Sequence, residues 1–446
     1  METVLARIAA MAKERPEEKF TTLAHHINVD NLAMAHVRQS SQKAPGVDKV
    51  TKDEYDKRLY PNLQDLVDRM KRQAYKPQPV RRTYIEKPGT SKLRPLGIPA
   101  YEDKLVQSVM ADIMNAIFEQ DFLDCSFGFR PNRSCHMALK VLSRIVETKK
   151  VNYVVDVDIK GFFDHVDHEW LMKFVGHRIA DTSFLRLIKR FLKAGVMEAG
   201  VVQDTPAGTP QGGVISPVLA NLYLHFVLDL WFEVHVKKVC KGEAYLVRYA
   251  DDFVCCFQYE SDAKSFYAAL KRRLAKFNLE IAEDKTKVIK FGRFANKGEE
   301  KAETFNFLGF THYCSTSRSG SFRVKRRTMN KKFRLSLRRC KEWLKKCRHF
   351  PIHEVRNKLN EKLQGYYKYY GVTDNYRALE RFLVAVKRLL FKWLNRRSQR
   401  STFDWQKFDL FTAKWPLVSP RIRVNVYSFD AALLAVCNGV MKSRVR

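Results

Sequence analysis

The sequence lacks any apolar run long enough to span a bilayer, which excludes a helical membrane protein. Its N-terminus has no long apolar segment typical of a signal peptide. The nine cysteines form no Cys-x-x-Cys pair, so a structural zinc site is not expected, and their odd number favours reduced thiols in a cytosol. Low-complexity tracts and long-period repeats are also missing from the sequence.

Acidic residues are scarce, with 48 Asp and Glu against 81 Lys and Arg, which gives a net charge of +33. Such an excess repels itself unless a polyanion neutralises it. Nucleic acid is therefore the favoured partner, ahead of an anionic membrane. A hydrophobic content of 45% and an aromatic content of 12% indicate a globular chain, and 446 residues allow two or three domains.

Two adjacent carboxylates, Asp251 and Asp252, interrupt an apolar stretch, AYLVRYADDFVCCFQ, at Ala244–Gln258. The β-branched and aromatic residues on both sides predict a β-hairpin whose bend carries the acids. Burying neighbouring carboxylates is costly unless a cation neutralises them, and Mg²⁺ prefers oxygen ligands. A solvated turn is the alternative for an isolated Asp-Asp pair.

A second acidic site ends a predicted buried strand within VNYVVDVDIKGFF, Val151–Phe163. Asp156 and Asp158 are two residues apart, so both point to one face of the strand. The pattern alone leaves open which of them would bind a metal.

A glycine-rich loop opens the stretch TPAGTPQGGVISPVLANLYL, Thr205–Leu224, before Ser216 and Pro217 begin a helix. Its glycines allow close approach to a base pair or phosphate. Upstream, QPVRRTYIEKPGTSKLRPLGIP predicts a basic hairpin that could reach a triphosphate, or one that is merely solvated.

Two further basic segments suggest contacts with nucleic acid. Arg130 and Arg133 lie in an aromatic loop, CSFGFRPNRSCHMAL, that suits stacking and phosphate contact, although packing of the loop is equally plausible. Lys325–Arg348 holds twelve Lys and Arg against one acid and has helical periodicity, which predicts a basic helix that includes Lys331, Arg338 and Lys345.

Six motifs follow one another in the order LRPLGIP, SFGFRPNRS, DIKGFFD, GTPQGGVISPVLANLYL, YADD and FNFLGF. This ordered set closely resembles the reverse transcriptases encoded by bacterial group II introns. The resemblance runs from about Ala44 to about Ile422. QGYYKYYG at Gln364–Gly371 and RSQRSTFDWQKF at Arg397–Phe408 resemble the maturase, or X, domain of that family.

The resemblance implies an α+β fold, a right-handed polymerase with fingers, palm and thumb. Residues 1–150 would form an N-terminal extension and the fingers, with part of the palm. Residues 151–318 would form the palm, with an antiparallel sheet, helices and the catalytic acids. Residues 319–446 would form a basic helical thumb with the X-like domain.

The resemblance also implies roles for individual residues. Asp158, Asp251 and Asp252 would be the catalytic acids that hold a pair of Mg²⁺ ions, with Mn²⁺ as an alternative, and Ile159 belongs to the expected metal site. The family spacing of Asp, four residues and Phe selects Asp158 over Asp156 and makes Phe163 the gate beneath the sugar. The resemblance implies three further roles. Lys87 and Arg94 would bind the triphosphate of the incoming nucleotide, and Gln211 would lie beside the nascent base pair. Lys285 would donate a proton to the leaving pyrophosphate.

The implied function is RNA-directed DNA polymerisation with dNTPs, on an RNA template and from a DNA or RNA primer. The protein would also bind its own intron RNA as a maturase, in the bacterial cytoplasm. One alternative is a reverse transcriptase recruited to phage defence or CRISPR adaptation, and another is a splicing factor with little polymerase activity. Paired Cys and His residues of an HNH-type nuclease do not occur in the sequence, so cleavage of target DNA is not expected.

Overall fold

The fold is given by a computed structural model of the chain. Across its described residues, no helix combines the length and apolar character needed to cross a membrane. The described residues are 1–86, 93–198, 201–203, 207–208, 212–295, 302–397 and 403–441.

The N-terminal helices pack through one apolar face each. Leu63, Leu66 and Val67 are buried in the last of the four, where their helical spacing places them on one face. Thr51 and Glu54 cap the helix before it with a reciprocal capping box. These helices are α1 Glu2–Glu14, α2 Val29–Arg38, α3 Lys52–Asp56 and α4 Leu59–Lys71.

A small sheet follows, whose first two strands are the predicted basic hairpin. The described part of this sheet has the order β2-β1-β4-β5. Val80 in β1 pairs in parallel with Val196 in β4, so later residues complete a sheet begun by the fingers. The sequence analysis did not identify β4 and β5. The strands are β1 Val80–Glu86, β2 Leu93–Ile98, β4 Val196–Glu198 and β5 Val201–Gln203.

The palm sheet is antiparallel, with the order β6-β7-β3-β8 among the described strands. Its central strands are rich in Val, Phe and Cys, which pack on both faces. The strands are β3 Tyr153–Asp158, β6 Ala244–Tyr249, β7 Asp252–Phe257 and β8 Lys287–Lys290. The helices of this region are α5 Tyr101–Phe118, α6 Cys135–Thr148, α7 His168–Val175, α8 Thr182–Leu192, α9 Ser216–Leu224, α10 Lys237–Val239 and α11 Glu260–Lys276.

The predicted helix after Ser216 does not stay α-helical. Beyond α9 the chain makes wider π-type turns at His225–Asp229 and Phe232–Val236 before α10. Such turns insert a residue into the helical repeat and often occur at functional sites.

The thumb begins after a three-stranded sheet of described residues, in the order β11-β10-β9. The expected boundary between residues 318 and 319 would fall within the hairpin of β10 and β11, which pair from Phe310–Thr328 to Thr316–Phe322, and the division into domains stays a prediction. The basic segment is not one helix, since Lys325–Thr328 lies in β11. The elements are β9 Phe305–Phe307, β10 Phe310–Thr316, β11 Phe322–Thr328, α12 Asn330–Cys347, α13 Ile352–Tyr370 and α14 Tyr376–Leu394.

The described part of the C-terminal segment is partly helical. It contains α15 Trp405–Lys414 and α16 Ala431–Met441. Helix α16 packs against α6 and β6, so it covers the back of the palm. Gly439 allows this contact, because a Cβ atom there would lie 1.9 Å from the Asp124 carboxylate.

Candidate active site

The acidic hairpin forms as predicted. Tyr249 pairs with Asp252, and the turn between β6 and β7 consists of Ala250 and Asp251. Ala250 has a left-handed backbone, with φ of 58°, which a tight hairpin turn requires. The turn therefore presents two consecutive carboxylates at one end of the palm sheet.

The neighbouring strand brings a third acid to the same place. Asp158, the last residue of β3, lies directly opposite Asp252 in the ladder. Its side chain is 46% exposed, and its Oδ2 accepts from Lys285 Nζ at 2.7 Å. Asp156 is more deeply placed and accepts a hydrogen bond from the Asn306 backbone. The carboxylate at the open end of the strand is therefore Asp158, as the motif spacing implied.

Burial makes Asp156, Asp251 and Asp252 reluctant to ionise, because each carboxylate loses hydration. Loss of hydration, reinforced by Asp156 and Asp251, raises the pKa of Asp252 to about 8. Burial likewise raises the pKa of Asp156 to about 7 and that of Asp251 above its usual range. An added cation would relieve this cost, because it would compensate charges that the protein packs together.

The donor chemistry fits a hard divalent cation, since carboxylate oxygens are the ligands such ions prefer. Within the described ranges, no three His, Cys, Asp or Glu side chains already form a metal-binding group. Asp158, one of the expected ligands, instead forms an ion pair with Lys285. Ile159 is buried and has only its backbone carbonyl to offer as a ligand.

An open cleft of about 1030 Å³ adjoins the acids. Asp158 and Asp251 line it together with Arg94, Phe163 and Lys285. Phe163 meets Phe162 edge-on at 5.3 Å. Both rings line the cleft, but Phe162 is buried and Phe163 is only partly buried, so Phe163 is the more accessible of the two.

A buried polar network behind the hairpin was not found by sequence reasoning. The Arg248 guanidinium pairs with Asp229, and both side chains have no exposed surface. Arg248 Nη1 also donates to the Asn221 side chain at 3.1 Å and to the Ala250 carbonyl at 3.0 Å. Gly128 lies against the same turn, where a Cβ atom would be 2.3 Å from the Ala250 nitrogen. The sequence did contain one sign of this network, because Arg248 is a charged residue within an otherwise apolar strand.

Comparison with known proteins agrees with this geometry. Residues 85–312 match the family described as reverse transcriptase (RNA-dependent DNA polymerase), and residues 331–411 match the group II intron maturase-specific domain. The group II intron-encoded protein LtrA of Lactococcus lactis subsp. cremoris is 30% identical over 85% of this chain and 75% of its own. The chain belongs to the group II intron-encoded reverse transcriptases. Such enzymes normally depend on a metal ion.

Two other relatives align with a smaller part of this chain than LtrA does. Protein YkfC of Escherichia coli K12 is 36% identical over 65% of this chain and 82% of its own. The mitochondrial protein nuclear intron maturase 2 of Arabidopsis thaliana is 26% identical over 31% of this chain and 24% of its own.

Arg130, predicted to bind nucleic acid, lies inside the protein in this reverse transcriptase. The Arg130 side chain is 2% exposed, and its N–H groups donate to Glu119 and to the carbonyls of Phe122, Leu123 and Ser126. These bonds use all five donors of the guanidinium, so none remains for a phosphate.

Arg133 is also engaged within the protein rather than presented to solvent. It pairs with Asp124 at 2.7 Å, is 13% exposed, and lies over the Phe127 ring. The packing role that the sequence analysis left open for this loop is therefore the one that the structure supports.

The basic thumb helix does present cations to solvent. Lys331, Arg338 and Lys345 are exposed on α12, and Lys331 reaches the cleft. Lys332, which was not among the predicted residues, is half-buried, and this burial lowers its pKa.

Two predicted substrate residues, Lys87 and Gln211, lie outside the described residues. Two described glycines near Gln211 in sequence, Gly208 and Gly212, lie close to the backbone of other segments. A Cβ on Gly208 would lie 2.9 Å from the Phe163 carbonyl oxygen, and one on Gly212 would lie 2.5 Å from the Gly97 carbonyl oxygen. These glycines thus join the loop to the palm and to β2.

Proposed function

We propose that this reverse transcriptase extends a DNA or RNA primer on an RNA template at a two-metal centre formed by Asp158, Asp251 and Asp252. The supporting observation is that three acids meet at one end of the palm sheet, two of them with raised pKa values, and that Asp158 and Asp251 line a cleft that also holds cationic side chains. The proposed ions are Mg²⁺, with Mn²⁺ as an alternative, and Ile159 would add its carbonyl. When bound, they would acidify the primer 3′-hydroxyl and neutralise the triphosphate and the departing pyrophosphate.

The protein's own groups would position the substrates for in-line displacement. Arg94 is exposed and lines the cleft, and its guanidinium group would bind phosphate oxygens of the dNTP. Phe163 would lie beneath the sugar and exclude a ribose 2′-hydroxyl by its bulk. Lys285 supplies a further cation to the wall of the cleft. Its hydrogen bond to Asp158 raises the pKa of Lys285, so the side chain carries a proton, and Lys285 would be the proton donor to the leaving pyrophosphate.

We further propose that the enzyme binds its own intron RNA as a maturase in the bacterial cytoplasm. The match to the maturase-specific domain and the exposed cations on α12 support this partner. Structured RNA is recognised largely through shape and backbone. All nine cysteines, each within the described ranges, are free thiols, which suits a reducing compartment.

Alanine substitution tests the catalytic site. Asp251→Ala or Asp252→Ala should abolish cDNA synthesis in a primer-extension assay while RNA binding persists. Asp158→Ala should behave likewise, and Asp156→Ala should be less severe. The control is Asp409→Ala, which removes an exposed acid on α15. Continued synthesis by Asp251→Ala, or a stronger loss in Asp156→Ala than in Asp158→Ala, would contradict the assignment.

Competition binding tests the maturase role. The protein should bind the intron that surrounds its gene far more tightly than an unrelated RNA of equal length, and it should promote splicing of that intron at low Mg²⁺. Equal affinity for both RNAs without any effect on splicing would favour a reverse transcriptase recruited to another system.

A further inference from the structure

The turn between β9 and β10 has an unusual backbone. Phe307 pairs with Phe310, and the two residues between them, Leu308 and Gly309, have φ of 50° and 77°. Two consecutive left-handed residues define a type I′ turn. Glycine adopts this backbone readily, but leucine does not, so the surrounding structure must hold Leu308 in place.

Both polar backbone groups of Leu308 have partners outside the hairpin. Its N–H donates a hydrogen bond to the carboxylate of Asp252. Its carbonyl accepts one from the hydroxyl of Tyr369 at 2.9 Å. A single strained residue therefore joins the thumb helix α13 to a catalytic acid of the palm.

Tyr369 is itself held by the palm. His136 Nε2, on the first turn of α6, donates to the Tyr369 carbonyl at 2.8 Å. Cys135 forms a further hydrogen bond with the tyrosine side chain. The Tyr369 ring lies parallel to Phe310, with 6.0 Å between ring centres and an angle of 15°. These contacts leave the hydroxyl little freedom, so its position can fix that of the Leu308 peptide.

We propose that Tyr369 is a positioning residue for Asp252, and that its hydroxyl orients the Leu308 peptide so that the Leu308 N–H holds the carboxylate in its working direction. The position of thumb helix α13 would thereby influence the geometry of the active site. This inference rests on the metal centre proposed above. It assigns to Tyr369 a role in the palm rather than in stacking on RNA.

The test replaces single hydroxyl groups on α13. Tyr369→Phe removes the hydrogen bond to Leu308 and keeps the ring. Tyr367→Phe is the matched control, because Tyr367 is a buried tyrosine on the same helix and its hydroxyl has no hydrogen-bond partner among the described residues. Steady-state primer extension gives kcat and KM for dNTP, and titration followed by electron paramagnetic resonance gives the affinity for Mn²⁺. Asp252→Asn serves as the reference for loss of metal.

Tyr369→Phe should lower kcat and Mn²⁺ affinity by roughly threefold to tenfold, the range expected for one lost hydrogen bond. KM for dNTP and affinity for primer–template should stay close to wild type, and Tyr367→Phe should match wild type throughout. Equal losses in both variants, or a Tyr369→Phe enzyme that matches wild type, would overturn the proposal. If Asp252→Asn binds Mn²⁺ like wild type, the proposed metal site fails instead, a result distinct from any effect of Tyr369.

Discussion

Replacing Arg248 by Met should destabilise the reverse transcriptase and disturb its catalytic turn. The guanidinium donates to both oxygens of the Asp229 carboxylate, with Nε at 2.7 Å from Oδ1, and neither side chain is exposed. Methionine fills a similar volume but leaves Asp229 as an uncompensated buried charge. Breaking a buried pair in this way costs about 3–5 kcal/mol. Urea denaturation should show this cost as a lower midpoint.

A double variant separates stability from activity. In Arg248→Met with Asp229→Leu, both charges are gone, so about half or more of the lost stability should return. Primer extension should stay impaired, because the Ala250 carbonyl and the Asn221 side chain still lack their common donor. The difference between these two results would show that the network shapes the turn as well as supporting the fold.

The control for this experiment is an exposed ion pair on α11, Lys264 with Glu260 at 2.6 Å. Lys264→Met should leave the denaturation midpoint unchanged, since exposed pairs contribute little. The reasoning would be refuted by an Arg248→Met enzyme as stable as wild type, or by a double variant no more stable than the single one.

Three other predictions concern the gate, acid stability and the thumb. Phe163→Val should raise incorporation of ribonucleotides, measured as the ratio of kcat/KM for rNTP and dNTP; an unchanged ratio in an active variant would remove Phe163 from the gate. Burial lowers the pKa of His312 from 6.5 to about 3, so folding stability should fall as pH drops below 6.5, by roughly 2 kcal/mol at pH 5. His312→Phe should abolish that contribution in denaturation curves compared at pH 7 and 5, and an identical pH dependence in both proteins would contradict it. Replacing Lys331, Arg338 and Lys345 by Glu should lower processivity while short extensions survive. It should also flatten the salt dependence of primer–template binding. An unchanged salt slope would mean that these cations contact only solvent.

Local sequence patterns were sufficient for the palm strands and the acidic turn. The apolar and β-branched residues on both sides of Asp251 and Asp252 determine a hairpin within one short segment, and the valines before Asp158 determine the adjacent strand. These elements depend on neighbours in sequence, which a pattern can reveal.

Other features depend on partners that are distant in the chain. The pairing of β4 with β1 joins Val196 to Val80, and neither segment indicates the other. Arg130 is of a residue type that often binds phosphate. In this fold, however, its N–H groups donate hydrogen bonds to Glu119 and to nearby backbone carbonyls. Charge predicts an attraction to nucleic acid, but only the fold decides which cations remain accessible.

The π-type turn at His225–Asp229 limits which deletions the helical segment can tolerate. Asn221 and Asp229 both contact Arg248 although eight positions separate them. In a regular α-helix that spacing would leave the two side chains about 80° apart, whereas absorbing one residue in the wide turn brings them to nearly the same face. A codon deleted between these positions would therefore rotate the remaining helix relative to Asn221 or force the wide turn to close. Aligned relatives should keep this spacing even where their residues differ.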